Sequence, residues 1–253
     1  MKIFLIIDSL ASGGAQRVIS TMANYWAEKG EEVHLAIIYK NEIFYSLHKK
    51  VIVHQLGFEY GFNGKIKGLL RILFVSKEIR KLMKGQSPDA AISFLPRVNI
   101  SSIIAKIGTK VPLIISERSD PNFQTNISRI DKILMKILYP LADGMVLQTE
   151  YVKKYFAKYK TKKFVISNPM KDFDKKNISD LIQKNIIAVG RLGKEKGFDT
   201  LIRAFSLIKN NEWKLFIYGE DHGDGKHRKS LEGIVSDKKL EDRAFLPGNV
   251  QNI

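Results

Sequence analysis

Arg191 and Lys196 stand in a stretch, 186–205 (IIAVGRLGKEKGFDTLIRAF), that combines the parts needed to hold a diphosphate. The run Ile186, Ile187, Ala188, Val189 reads as a short buried strand, and Gly190 lets the chain turn tightly after it. Gly197 closes the loop. Beyond it Phe198, Leu201, Ile202 and Phe205 recur at helical spacing, so a helix is expected to begin there. The first backbone N–H groups of a helix have no partner within it, and the macrodipole adds positive potential. Arg offers a planar fork for paired phosphate oxygens, and Lys a mobile point charge. Gly190, Arg191 and Lys196 are therefore candidate phosphate-binding residues. A basic surface turn between a strand and a helix fits the same residues, and spacing alone does not separate the two.

Two further stretches place polar groups after expected strands. In 9–17 (SLASGGAQR), Gly13 and Gly14 permit close backbone approach and Ser12 is placed to cap the following helix. A phosphate or hydroxyl could lie on that helix N-terminus, although the glycines do not form G-x-G-x-x-G. A tight strand-to-helix turn accounts for them equally. In 114–121 (IISERSDP), Ser116, Glu117 and Arg118 should lie beyond the carboxyl end of a strand, where open α/β sheets gather ligands. A Glu beside an Arg can orient a hydroxyl and hold an anion, and Glu117 and Arg118 are the candidate catalytic pair. The plain alternative is an N-cap followed by a solvated charge pair. Asp221, His222, Asp224 and His227 crowd a Gly-rich loop, which is read as a mobile loop and not as a metal site.

Stepping along the chain, short apolar runs alternate with helical patterns, which argues for parallel α/β architecture. Strands are expected at 2–8, 33–39, 51–56, 90–94, 113–116, 144–148 and 164–166, with helices at 15–29, 98–107, 130–141 and 149–159. Segment 63–84 carries seven cations (Lys65, Lys67, Arg71, Lys77, Arg80, Lys81, Lys84) against Glu78 alone. It holds two apolar stripes: Ile66, Leu70, Leu73, Phe74, and Ile72, Val75, Ile79, Leu82. It suits either a helix lying on an anionic bilayer or a core helix with a solvated basic face. Asn168-Pro169 breaks regular structure, and 171–184 is polar, reading as a hinge between a first domain, 1–170, and a second, 185–253. In the second, strands at 214–218 and 243–246 flank a helix at 228–239.

Composition excludes several classes. The chain has 253 residues and no Cys, so it holds no disulfide and no thiolate metal site. No apolar run reaches the ~18–20 residues of a membrane-spanning helix. The strand KIFLIID starts at Lys2 with no signal peptide before it, and a cytoplasmic protein is expected. Lys and Arg number 42 against 26 Asp and Glu, a net charge of +16 that favours anionic partners. Zinc spacings and RNP-like aromatic runs are absent, so nucleic acid is not an expected partner.

The pattern G-R-L-x-x-x-K-G-F-x-x-L-I-x-A-F at 190–205 resembles the signature of the second domain of GT-B glycosyltransferases, specifically family 4 of retaining enzymes. The loop GGAQR at 13–17 is similar to GGAQR and GGAER loops of polysaccharide-building members, and 115–121 is similar to their ISERxDP forms. The turn at 218–228 resembles the family's I-x-G-x-G-x-x-R-x-x-L, widened, with Gly225, Arg228 and Leu231 keeping the later spacing. Many relatives have His where Arg118 aligns, so no general base is assigned.

The resemblance implies an α/β fold of GT-B type, two Rossmann-like parallel-sheet domains with the second incomplete. It implies that Arg191 and Lys196, with Gly190, grip the diphosphate of a nucleotide-sugar donor such as a UDP-sugar. Gly13, Gly14 and Arg17 would form the acceptor or phosphate loop. The reaction implied moves a hexose or N-acetylhexosamine, with retention and without cofactor or metal, to a lipid-linked glycan in surface polysaccharide assembly. A place at the inner face of the cell membrane, and contact with its anionic surface, go with that acceptor. The family's E-x7-E pattern is missing, so the chain is expected to be C-terminally truncated and inactive. The competing expectation is a non-catalytic basic protein that binds anionic membrane or nucleic acid; a GT-B-shaped epimerase lacks a visible carboxylate–histidine set.

Overall fold

The computed structural model describes residues 1–40, 42–59, 65–118, 127–169, 183–221 and 225–250, with backbone alone at 65–67. The chain divides into two compact units, Met1–Lys171 and Asp172–Ile253. Most of the expected hinge, 171–184, lies outside the described residues, as do Asp120, Pro121, His222 and Asp224.

In the first unit, β1 (Lys2–Ile7), β2 (Glu32–Tyr39), β3 (Ile52–Phe58), β4 (Ala90–Phe94), β5 (Leu113–Ser116), β6 (Gly144–Leu147) and β7 (Lys163–Val165) form one sheet in the order β3-β2-β1-β4-β5-β6-β7. Every pairing is parallel. Parallel strands need crossovers, and helices supply all of them except the one from β2 to β3: α1 (Gly14–Glu28), α2 (Lys65–Gln86), α3 (Pro96–Lys106), α4 (Arg129–Leu138) with a 3-10 turn at Tyr139–Leu141, and α5 (Glu150–Tyr155).

The alternation of β1 shows how the layers form. Ile3, Leu5 and Ile7 join Val18, Ile19, Ala23, Val33 and Leu35 in a core under α1. Phe4 and Ile6 point the other way, to a core shared with α2, α3, α4 and α5 through Ile79, Ile103, Tyr139 and Phe156. Both faces of β1 are therefore covered, and its apolar residues are nearly continuous. The chain winds one way from β1 to β3 and the other way from β4 to β7, so the order reverses between β1 and β4. That switch point, at the carboxyl ends of the strands, is where such sheets hold ligands.

The second unit has three parallel strands in the order β10-β9-β8: β8 (Asn185–Val189), β9 (Lys214–Tyr218) and β10 (Ala244–Gly248). Its helices are α6 (Phe198–Phe205) and α7 (Lys226–Asp237). They close a separate core of Leu192, Phe198, Ile202, Phe205, Leu215, Ile217 and Leu231. The α6 periodicity read from the sequence is the observed packing: Phe198, Ile202 and Phe205 are buried, and Leu201 packs against them.

The two Trp residues report separate units, Trp26 packing against the α1 core and Trp213 against the core of the second unit. Leu5→Ala, at a fully buried position, is expected to lower the stability of the first unit by about 2–5 kcal/mol. In a Trp213→Phe background, urea unfolding followed by Trp26 fluorescence reads that loss. A midpoint equal to that of the background protein would show that β1 is not central to the core.

Candidate functional site

At the carboxyl end of β5, Glu117 is 1% exposed. Its Oε1 accepts from Asn99 Nδ2 at 2.9 Å and from the Tyr139 hydroxyl, and its N–H donates to the Val146 carbonyl at 3.0 Å. The Asn99 amide also reaches the Ser116 carbonyl at 3.2 Å, and Ser93 Oγ donates to Asn99 Oδ1 at 2.7 Å. One buried network therefore joins the ends of β4, β5 and β6 to α3 and to the turn after α4. Burial, and next the Glu117 carboxylate, push the Tyr139 phenol well above its ordinary range, so it stays a donor. The plain alternative of a solvated charge pair fails at its first half: Glu117 is in the interior, where Asn99 and Tyr139 donate to its Oε1 in place of water.

Arg118 is half-buried and points elsewhere. It lies 5.2 Å from the Phe94 ring centroid, donates to Asn168 Oδ1, and reaches Ser116 Oγ at 3.4 Å. Its Nε is buried and, among the described residues, has no hydrogen-bond partner. Burial lowers the guanidinium to about 10, which leaves it charged at neutral pH but poorly solvated. Asn168 also accepts from Gln148 at 3.1 Å, and Arg17 reaches the Pro169 carbonyl at 3.4 Å. The Asn168–Pro169 step thus draws Arg17 and Arg118 toward one place, with Leu95 nearby as the N-cap of α3. Leu95 holds φ 78°, ψ 147°, a strained conformation for a branched side chain.

The loop after β1 differs from expectation in its cap. Gly13, not Ser12, is the N-cap of α1, with extended φ and no side-chain cap. The Tyr45 hydroxyl serves it instead, accepting from the Gly13 N–H at 3.1 Å and donating to the Gly13 carbonyl at 2.9 Å. A Cβ on Gly14 would meet nothing within 4 Å, so the N-terminus of α1 is open above that residue. Asp8, at the end of β1, accepts from the Ser9 N–H at 2.6 Å and from Gln16 Nε2 at 3.3 Å. Burial raises its carboxyl against those hydrogen bonds. In the sequence Asp8 reads only as the last residue of the expected strand; its place just before a Gly-rich loop, at the carboxyl end of β1, is the signal that marks it.

In the second unit the loop from Gly190 to Gly197 is tied down by its neighbour. The Gly190 N–H donates to the Tyr218 carbonyl at 2.9 Å and the Leu192 N–H to the Glu220 carbonyl at 3.0 Å. Gly219 has φ 147°, and a Cβ there would overlap the Gly190 carbonyl oxygen, so the two loops touch through bare backbone. A 3-10 turn, Lys194–Lys196, leads to Gly197, whose left-handed φ of 66° caps α6. Arg191 and Lys196 are both exposed, and Arg191 Nη2 pairs with Glu195 Oε1 at 3.0 Å. The backbone hydrogen bond at Glu195, and to a smaller degree the Arg191 guanidinium, hold that carboxyl below its usual range. Lys196 lays its stem beside Gly190, within 3.6 Å of where a Cβ would stand. Across the second loop, Asp221 accepts from the His227 and Arg228 N–H groups, and Arg228 is held by Glu232 and the Leu246 carbonyl. The loop thus presents two cations and a helix N-terminus together, which can bind a polyanion.

A model described as Glycosyltransferase Family 4 matches residues 12–171, and one described as Glycosyl transferases group 1 matches residues 169–253. The chain belongs to the family 4 glycosyltransferases. A Campylobacter jejuni relative, GalNAc-alpha-(1->4)-GalNAc-alpha-(1->3)-diNAcBac-PP-undecaprenol alpha-1,4-N-acetyl-D-galactosaminyltransferase, is 31% identical over 261 residues, covering 100% of this chain and 69% of the relative. A second from the same organism, N-acetylgalactosamine-N,N'-diacetylbacillosaminyl-diphospho-undecaprenol 4-alpha-N-acetylgalactosaminyltransferase, is 30% identical over 260 residues, covering 98% and 69%. Among solved structures, a sucrose-phosphate synthase from Thermosynechococcus elongatus is similar with a TM-score of 0.76 at 15% identity, over 99% of this chain and 71% of that one. Anabaena HepE in complex with UDP and glucose gives 0.71 at 18%, over 99% and 70%. The fold of this glycosyltransferase is GT-B.

Removing the Glu117 carboxylate orphans two buried donors. Glu117→Ala is expected to destabilise the first unit by about 1–3 kcal/mol for each of them, read from urea midpoints; a neutral substitution would dissolve the network. Asp8 gives a pH test. Its folded carboxyl holds a proton to higher pH than the unfolded 3.8, so its stabilising share is complete below that value and fades as pH rises through the folded one. The stability difference between wild type and Asp8→Asn should therefore slope against wild type as pH rises above 3.8. A flat difference would mean that burial does not perturb Asp8.

Proposed function

We propose that this glycosyltransferase takes a hexose or N-acetylhexosamine from a UDP-sugar and transfers it, with retained configuration, to a glycan on a lipid diphosphate carrier. The observation that carries this reading is the loop from Gly190 to Gly197, where two exposed cations meet the start of α6. Family membership and the undecaprenol-linked substrates named for the two Campylobacter relatives support it.

On this reading a donor diphosphate takes the guanidinium of Arg191 from Glu195, while Lys196 swings from Gly190 onto the same phosphates. The amides at the N-terminus of α6 complete the cradle. As the glycosidic bond breaks, charge grows on the leaving diphosphate, and fixed cations stabilise that charge more than the bound ground state. In the first unit, Gly13, Gly14 and Arg17 receive the acceptor at the open end of α1. Of the pair Glu117 and Arg118, Arg118 meets the anionic ligand with its unfilled donor, and Glu117 holds the strand ends that position it. No group here is assigned as general base.

Calorimetric titration of UDP and UDP-sugars tests the donor site on the 253-residue chain itself. Saturable binding is expected, weakened about 100-fold or more by Arg191→Ala with Lys196→Ala. Glu195→Gln, which removes the internal competitor, is expected to tighten it. Binding unchanged by the double substitution would overturn the assignment. Transfer is read separately: product formed by the 253-residue chain would overturn the expectation that it is inactive, and the anomeric configuration of the first-formed product, by proton NMR, would then read retention.

A further inference from the structure

The segment 42–48 that follows β2 belongs to no helix or strand, yet hydrogen bonds hold it along its length. The Phe44 N–H donates to the Leu10 carbonyl at 2.9 Å, Asn24 Nδ2 donates to the Ser46 carbonyl at 2.9 Å, and the His48 N–H donates to Asn24 Oδ1 at 2.7 Å. Tyr45 adds its ties to both backbone groups of Gly13, and Leu47 packs against the core under α1. The segment is thus strapped to the loop that follows β1. Phe44 is nonetheless 49% exposed, and its ring meets the Tyr45 ring edge to face, with centroids 5.1 Å apart at 79°. A lone exposed phenylalanine is ordinary. This one differs because its backbone is fixed and because an incompletely used carboxyl stands near its anchor. Asp8 lies two residues before Leu10. The Ser9 N–H, the Ser9 hydroxyl and Gln16 Nε2 all converge on Asp8 Oδ1, and among the described residues no other residue donates to Oδ2.

We propose that Phe44 and Asp8 seat a sugar ring of the acceptor, the C–H face of the ring lying on Phe44 and one of its hydroxyls donating to Asp8 Oδ2. This rests on the reading of the chain as a glycosyltransferase that receives a glycan at its first unit. The face of an aromatic ring is the negative end of its quadrupole, and it attracts the slightly positive hydrogens of an aliphatic C–H face. A pyranose has such a face and carries hydroxyl donors around its edge, so it answers both groups at once. A hydrocarbon tail would leave the carboxyl unanswered. A bare phosphate gains nothing from Phe44 and meets the exposed Glu42 on the same strap. One apolar wall with a few converging polar groups is the usual make-up of a small-molecule site, and fixed loops are where such groups are displayed. Tyr45 acts here as a positioning residue: its hydroxyl ties the strap to Gly13, so the Phe44 ring keeps its distance from the open start of α1. Asp8 orients the hydroxyl, and no proton transfer is assigned to it.

Saturation-transfer NMR on the full chain, with no donor present, tests the seat using the methyl glycosides of N-acetylglucosamine and N-acetylgalactosamine as probes. Irradiation of the aromatic protons is expected to reach the ring C–H protons of at least one probe, and the effect should saturate as the probe is titrated. Phe44→Ala should weaken that binding at least about threefold while keeping the wild-type urea midpoint, since the side chain is half exposed. Phe44→Trp, which keeps an aromatic face, should retain it. Asp8→Ala should also weaken binding at least about threefold, with transfer from the aromatic protons still seen. No saturable binding of either probe, binding unchanged in Phe44→Ala, or a probe displaced by UDP would overturn the proposal. The donor site is judged apart, by UDP titration of Arg191→Ala with Lys196→Ala. Sugar contact at Phe44 in a chain that does not bind UDP would uphold this seat and remove the donor site.

Discussion

A carboxylate buried at the end of a strand needs donors close at hand, and the end of β5 is arranged around providing them to Glu117. Asn99 reaches it from α3 and Tyr139 from the turn after α4, while its own N–H is fixed to β6. Each of these contacts would be weak in water; inside the protein each is costly to lose. The arrangement explains why α3 begins with Leu95 in a strained conformation. The Leu95 N–H donates to the Ser116 carbonyl at 3.1 Å and its carbonyl accepts from the Asn99 N–H at 2.8 Å. The chain accepts an unfavourable φ where doing so sets Asn99 beneath the carboxylate. Arg118 then projects from a strand end that cannot shift.

The alternation of strands and helices was readable because each element has a clean period. On β1 successive residues go to opposite cores, and on α6 Phe198, Ile202 and Phe205 return to the same side. The two stripes in 63–84 were also readable, but the choice between them depends on what stands beside the helix. Structure assigns Ile72, Val75 and Ile79 to the core, and leaves Leu70, Leu73 and Phe74 outside. The polar network was hidden for the same reason. Asn99 in the run Pro96–Lys106 and Tyr139 ahead of Pro140 look like ordinary surface residues until tertiary packing brings them 18 and 22 positions back or forward onto Glu117. Local rules place an Asn or a Tyr; they do not say which distant carboxylate it meets.

Capping shows a second limit. Ser12 has the residue type of an N-cap, yet Gly13 takes that place, and Tyr45, 32 positions away, holds both of its backbone groups. At α4 the local rule holds, and Ser128 and Asp131 form the reciprocal box its sequence spells. The difference lies in surroundings. At α1 a long-range hydroxyl fixes the residue before the helix, and no side chain caps its first turn.

Gly219 carries a consequence for how this protein can change. Any side chain there would push into the carbonyl of Gly190, a backbone atom that cannot step aside as a flexible side chain would. The loop bearing Arg191 and the loop after β9 are therefore not free to drift independently through sequence space. An altered residue at 219 must be answered by a moved backbone at 190, which carries the neighbouring cation with it. Variation meant to diversify the second loop has room at Glu220, which is exposed, and a library randomised across position 219 itself would consist largely of proteins with a displaced Arg191.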